Sequence, residues 1–138
     1  AMRHQRALTL CIIDVDLFKP VNDRYGHMSG DNVLRQIASI VRRHVRSDDF
    51  AARIGGEEFA VLLPECDALA GHAFAERLRQ AIAEVVFKPG AEALTITVSI
   101  GVASMTAERD TCSRMMAAAD AALYRAKAQG RNQVCIQD

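Results

Sequence analysis

Two glutamates stand directly behind two glycines in Arg53-Ile54-Gly55-Gly56-Glu57-Glu58-Phe59. Ile54 ends one extended run, and Phe59 to Leu63 is an apolar run of strand type. The segment therefore reads as a β-hairpin whose glycines tolerate the positive φ of a tight turn. A hairpin has no need of acids there, because neighbouring like charges repel and acidic residues are poor strand formers. On a strand, Glu57 and Glu58 would point to opposite faces and could not serve one centre equally. Glycines without Cβ atoms leave a bare backbone that a bulky, charged ligand can approach. The chemistry suggested is a phosphate lying over the turn, with a divalent cation beside one of the acids.

A second acidic pair, Asp14 and Asp16, closes the apolar run from Leu8 to Val15. That run suits a strand buried on both faces. Strand alternation puts Asp14 and Asp16 on the face of Leu10 and Ile12 at the strand's carboxyl end. Each needs a partner, because an unpaired buried charge is costly.

The elements that must hold these acids follow from periodicity. Pro20 to His27 reads as a short irregular or one-turn segment, and Asp31 with Asn32 suits the start of a helix carrying Val33, Leu34, Ile37, Ile40, Val41 and Val45 inward. Pro64 stops the hairpin's second strand, and Asp67 suits the N-cap of a helix. Its stripe runs through Ala70, Phe74, Leu78, Ala81, Ile82 and Val85, and Lys88-Pro89-Gly90 breaks it. Leu94, Ile96, Val98, Ile100 and Val102 alternate with Thr95, Thr97, Ser99 and Gly101, the pattern of a half-buried strand. A third long helix turns Met115, Met116, Ala119, Leu123 and Ala126 inward and ends with Gly130 at C′, and Gln133 to Ile136 forms a last short strand. The order β-α-α-β-β-α-β-α-β predicts an α+β fold, one mixed or antiparallel sheet covered by helices.

Composition narrows the partners. In 138 residues, Lys plus Arg and Asp plus Glu both number 17, so no net field draws the chain to duplex nucleic acid or an anionic membrane. Cys11, Cys66, Cys112 and Cys135 show no CxxC or Cys/His clustering and read as small core residues in a reducing cytosol. No apolar run approaches the ~20 residues of a membrane span and no signal peptide opens the chain, so a cytoplasmic domain without membrane contact is expected, although a longer parent protein could be anchored. Ala1-Met2 reads as a cloning scar, which makes residues 1–138 one catalytic domain excised from a longer signalling protein.

With these elements in place, a denser pattern emerges. Asp14-Val15-Asp16-Leu17-Phe18-Lys19, Asn22-Asp23, Tyr25-Gly26-His27, Gly30-Asp31, Gly55-Gly56-Glu57-Glu58-Phe59, Val98-Ser99-Ile100-Gly101-Val102, Ala119-Asp120, Leu123-Tyr124, Ala126-Lys127 and Gly130-Arg131-Asn132 together resemble the GGDEF domain of bacterial diguanylate cyclases, with Glu57 in the place of the first acid. The resemblance runs from about Leu10 to Asn132 and implies a nucleotidyl-cyclase, polymerase-palm-like (ferredoxin-like) sheet. The implied reaction condenses two GTP into cyclic di-GMP and releases two pyrophosphates. The family segment that normally precedes the first strand is missing here, so the piece alone is expected to be weakly active.

The resemblance also implies roles. A ribose 3′-hydroxyl attacks an α-phosphate in line, and catalysis rests on positioning and charge neutralisation. Asp14, the Val15 carbonyl and Glu57 fall around Mg²⁺ or Mn²⁺, two ions per active site. Glu57 also guides the hydroxyl proton, and Glu58 helps the second ion. For Asp14 the alternative is a strand-end carboxylate capping a helix. Lys19 and the backbone N–H groups of Leu17 and Phe18 fall on the phosphates, above Gly55 and Gly56, although without the motif Lys19 reads as a solvated surface lysine. Asn22 and Asp31 read the guanine edge, Asp31 also suiting a helix start. His27 lies near base or ribose or else stabilises a turn, and Leu34 packs on the base or in the core. Lys127 and Arg131 face the triphosphate or complement a helix C-terminus.

Arg46 and Asp49 match the family's RxxD inhibitory site, with Arg77 as a secondary arginine for cyclic di-GMP; the plainer alternative is a solvated ion pair. Turnover implies a homodimer, and control implies an upstream sensory domain. Two other readings compete: a catalytically silent receptor for cyclic di-GMP or GTP, and a related cyclase of mixed base choice.

Overall fold

A computed structural model describes residues 7–89, 92–106 and 110–137, so the expected roles of Ala1-Met2 and of Gly90 lie outside the described residues. Its centre is β1 (Leu8–Val15), buried from Thr9 onward. Cys11, Ile13 and Val15 enter one core cluster, while Leu10 and Ile12 enter a second on the opposite face. Burial on both faces is what the nearly continuous apolar run requires.

Five strands form the main sheet in the order β2-β3-β1-β6-β7, where β2 is Phe50–Arg53, β3 Glu58–Pro64, β6 Val98–Ser104 and β7 Val134–Gln137. Neighbours are antiparallel except β6 and β7, so the sheet is mixed, as expected. Helices α2 (His27–His44) and α3 (Ala68–Ala83) supply Val33, Leu34, Ile37, Phe74, Leu78 and Ile82 to the larger cluster. Helix α4 (Cys112–Ala128) supplies Met115, Ala119 and Leu123 to the other.

Several expectations need correction. The alternating run from Leu94 to Val102 is not one strand: β5 (Leu94–Thr95) pairs with β4 (Val86–Phe87) in a separate two-stranded sheet, and β6 begins at Val98. Nor is β6 half-buried, since Ser99 and Gly101 are as buried as their neighbours. The cause is α4, which covers that face at close range: a Cβ on Gly101 would lie 2.1 Å from the Ala119 carbonyl oxygen and 2.4 Å from the Leu123 nitrogen. The segment after β1 is a true helix, α1 (Phe18–Tyr25). Helix α2 then starts at His27, four residues before Asp31, because Gly26 at φ 91° turns the chain between the helices in a single residue.

Two helix ends behave as the sequence suggests. Asp67 Oδ1 accepts the Ala70 N–H at 2.9 Å at the start of α3. Gly130 takes φ 120° just past α4, and Arg131 N–H returns to the Ala126 carbonyl at 2.9 Å. Helix α3 already ends at Ala83, ahead of Lys88-Pro89, and Ala70 is exposed rather than on its buried stripe. Of the cysteines, Cys11 and Cys66 are buried, whereas Cys112 is exposed at the start of α4 and Cys135 is half-buried on the edge strand β7; all four are free thiols. Among the described residues, no helix is long and apolar enough to cross a membrane.

Candidate active site

The carboxyl end of β1 opens into a cleft of about 210 Å³ lined by Asp14, Val15, Leu17, Phe18, Lys19, Glu57, Lys127 and Arg131. Asp14 points to the α4 face, as its register with Leu10 and Ile12 demands, and there it meets Lys127 from the last turn of that helix. The Lys127 Nζ donates to Asp14 Oδ2 at 2.5 Å. This is the partner a carboxylate exposed by only 5% needs.

In the ladder Asp14 lies opposite Glu58 on β3. Glu57 stands just ahead of β3, and its carbonyl accepts the Val15 N–H at 3.1 Å. Glu57 lies in the connection rather than on the strand and lines the cleft, whereas Glu58, on β3, does not. Burial, then the charge of Asp14, pushes the Glu57 carboxyl above its ordinary range, with Lys127 opposing. Burial and a hydrogen bond to Asp14 push Glu58 the same way, and Asp120 adds to it. Both acids therefore feel the same buried carboxylate.

This donor set fits a hard divalent cation. The groups are all oxygens, and their crowding is the kind that a cation relieves. Among the described residues no group of three or more His, Cys, Asp or Glu side chains is arranged as a metal cage. An ion here would rest on Asp14, Glu57 and the Val15 carbonyl, a sparse set suited to Mg²⁺, which keeps several waters.

The glycine turn differs from expectation in one respect. Its last paired residues are Arg53 and Phe59, and neither Gly55 nor Gly56 adopts positive φ. The longer connection spreads the reversal over more residues, so no left-handed residue is required. What the glycines supply is openness: a Cβ on Gly56 would meet nothing within 4 Å. Arg53 holds the turn from outside, donating from Nε to the Gly55 carbonyl at 3.1 Å and from Nη2 to the Gly56 carbonyl at 2.6 Å. Sequence reasoning gave Arg53 no role; its place immediately before Ile54-Gly55-Gly56 was the available signal.

Leu17, at φ 54°, turns the chain from β1 into α1. That helix has no side-chain cap and no acid in its first turn, and its first residues line the cleft with Lys19. Such an end favours anions.

Asn22, His27, Asp31, Leu34, Gly55, Gly56 and Glu58 lie outside the cleft's lining. The structure does bring Asn22 against the start of α2: a Cβ on Gly30 would lie 1.7 Å from Asn22 Oδ1, so only glycine before Asp31 admits that carboxamide. His27 is exposed in the first turn of α2, and Leu34 is buried in the core while lining a groove between α2 and β2.

A second cleft, about 330 Å³, gathers Arg46, Asp49 and Arg77 with His44 over Leu63 and Phe74. Asp49 Oδ2 accepts the Arg46 backbone N–H at 2.7 Å, and the Asp49 N–H returns to the Arg46 carbonyl at 3.0 Å. The acid thus closes a turn through the main chain instead of forming a surface ion pair, which leaves the Arg46 guanidinium available.

Known proteins share this fold. The family described as "Diguanylate cyclase, GGDEF domain" matches residues 1–133. Diguanylate cyclase A of Treponema denticola is 40% identical over 132 residues, covering 96% of this chain and 36% of that protein. The response regulator PleD of Caulobacter vibrioides is 42% identical over 125 residues, covering 89% of this chain and 28% of that protein. The chain thus spans about a third of the length of these relatives. Among solved structures, the active GGEEF domain of a diguanylate cyclase from Vibrio cholerae superimposes with a TM-score of 0.92 at 34% identity, covering 100% of this chain and 87% of that one. The GGDEF domain of DgcB from Caulobacter crescentus, in complex with c-di-GMP, gives 0.90 at 36% identity, covering 95% and 78%. With its fold, its strand-end acids and its bare diglycine turn all in place, this chain belongs to the diguanylate cyclase GGDEF domain family.

Proposed function

We propose that this chain is the catalytic domain of a diguanylate cyclase, holding one GTP and joining it to a second held by another copy, so that turnover requires a homodimer. The observation that carries the reading is the convergence of Asp14, Glu57 and Glu58 with Lys127 at the mouth of a cleft that also holds Lys19 and the open end of α1. Triphosphate charge is met by Lys19, Lys127 and Arg131 and by the N–H groups at Leu17 and Phe18. Asp14, Glu57 and the Val15 carbonyl would hold Mg²⁺ or Mn²⁺, which would supply Lewis-acid activation of the 3′-hydroxyl and neutralise phosphate charge. Glu57 accepts the hydroxyl proton, while Glu58 adds negative charge to the same end. Asn22 and Asp31 read guanine, with His27 and Leu34 beside them.

Product restrains the reaction by occupying the second cleft. Arg46 and Arg77 offer guanidinium forks to phosphate and to the Hoogsteen edge of guanine, which suits cyclic di-GMP. Product is present with the DgcB relative, which supports a product site in the family. The response-regulator relative, much longer than this chain, supports an upstream input domain.

Anion-exchange analysis of reactions containing GTP and Mg²⁺ tests the proposal. Cyclic di-GMP should accumulate with wild type at a rate that rises more than linearly with protein concentration, and not with Glu57→Ala. No product from a dimerised full-length protein rejects the enzyme, and product binding without turnover favours a receptor instead.

A further inference from the structure

The reaction described above leaves Asp16 unused, although it is buried and fully engaged. Its Oδ1 accepts from Ser99 Oγ at 2.7 Å, and its Oδ2 accepts from Thr97 Oγ1 at 2.7 Å and from the Asn132 backbone N–H at 3.0 Å. That backbone N–H belongs to a turn in which Gly130, Arg131 and Asn132 all take positive φ, at 120°, 64° and 48°. A residue such as Arg131 holds such an angle only where its surroundings impose it. The Asn132 side chain supplies a second tether: its Oδ1 accepts from Arg79 Nη1 on α3 at 2.8 Å. Arg79 is itself fixed by Glu76, which accepts from its Nε at 2.8 Å and its Nη2 at 3.3 Å. The turn is therefore gripped from just past the end of β1 on one side and from α3 on the other, and its middle residue, Arg131, lines the cleft with Lys19 and Lys127.

We propose that Asp16 and Arg79 are positioning residues for Arg131: they clamp the turn so that its guanidinium is aimed at the phosphates before the nucleotide arrives. This rests on the reading that GTP occupies the cleft. A free Arg131 would spend binding energy on ordering itself; a clamped one would not.

Isothermal titration of the full chain with a non-hydrolysable GTP analogue and Mg²⁺, run as a double-mutant cycle, separates positioning from general support. Arg79→Ala should weaken binding about three- to tenfold, and Asp16→Asn, whose amide cannot accept from all three donors, should do likewise. In an Arg131→Ala background both losses should vanish, because the group being aimed is gone. Equal losses in the two backgrounds, or no loss from Arg79→Ala, overturn the clamp. Should Arg79→Ala fail to fold by circular dichroism, Asn132→Gly removes the same acceptor while keeping the left-handed angle, and the same non-additivity is required of it. A folded wild-type chain that does not bind the analogue overturns the functional reading itself, and the clamp with it.

Discussion

The ammonium of Lys127 lies 2.5 Å from Oδ2 of Asp14, joining the end of α4 to the end of β1 across 113 residues of sequence. It places one positive charge where two further carboxyls, those of Glu57 and Glu58, are held above their usual range. Without a metal, this lysine is the local counter-charge.

Lys127→Met therefore leaves a buried carboxylate without its partner. Losing half of a buried pair costs about 3–5 kcal/mol. Because the Lys127 side chain is 37% exposed, solvent screening brings the expected loss to about 1–2 kcal/mol. Urea unfolding in a chelator measures it. Added Mg²⁺ should shift the midpoint further for the variant than for wild type, because a bound cation replaces the missing ammonium.

Stability should depend on pH with a definite sign. Glu57 and Glu58 bind protons more tightly folded than unfolded, so their contribution is complete below the unfolded carboxylate value and is lost as pH rises through the raised folded values. Glu76 acts oppositely, lowered by its hydrogen bond to Arg79. The difference between wild type and Glu57→Gln isolates the first effect. In chelator, the variant should melt higher near neutral pH, and its advantage should shrink as pH falls toward about 4. An advantage that grows on acidification contradicts the raised carboxyl.

Alanine at position 30 should alter base choice rather than folding. A helix-interior Gly→Ala change normally favours the helix. Here the new Cβ would fall 1.7 Å from Asn22 Oδ1 and must displace that carboxamide. The ratio of kcat/KM for GTP over ATP should drop about tenfold, the worth of one well-placed hydrogen bond. An unchanged ratio with altered stability removes Asn22 from guanine recognition.

Cyclic di-GMP should bind the second cleft through its arginines. Arg46→Ala and Arg77→Ala should each weaken binding, measured by titration calorimetry, about tenfold or more, as expected for charge-assisted hydrogen bonds. Product binding that survives both changes places the inhibitory site elsewhere.

Much of this molecule is legible along the chain because its signals are local. The nearly continuous apolar run of β1, the Asp67 cap and the C′ glycine at 130 each depend on near neighbours, and each stands where expected. What escaped was set by distant packing. Ser99 and Gly101 look like a solvent face until α4 settles over them, and Gly101 was the available hint, since a glycine inside a strand admits a close backbone. Gly26 hid the true start of α2 because one left-handed residue joins two helices without a loop. Asp16 gave no sign of its task, since its partners Thr97, Ser99 and Asn132 lie 81, 83 and 116 residues away.

The most direct test is a crystal structure of the full chain with a GTP analogue and Mg²⁺. Triphosphate density should lie over Gly55-Gly56 and the start of α1, a metal should bridge Asp14 and Glu57, and Lys127 should have left Asp14 for a phosphate oxygen. Nucleotide bound elsewhere, or Lys127 still seated on Asp14 with no ion between the acids, contradicts the account.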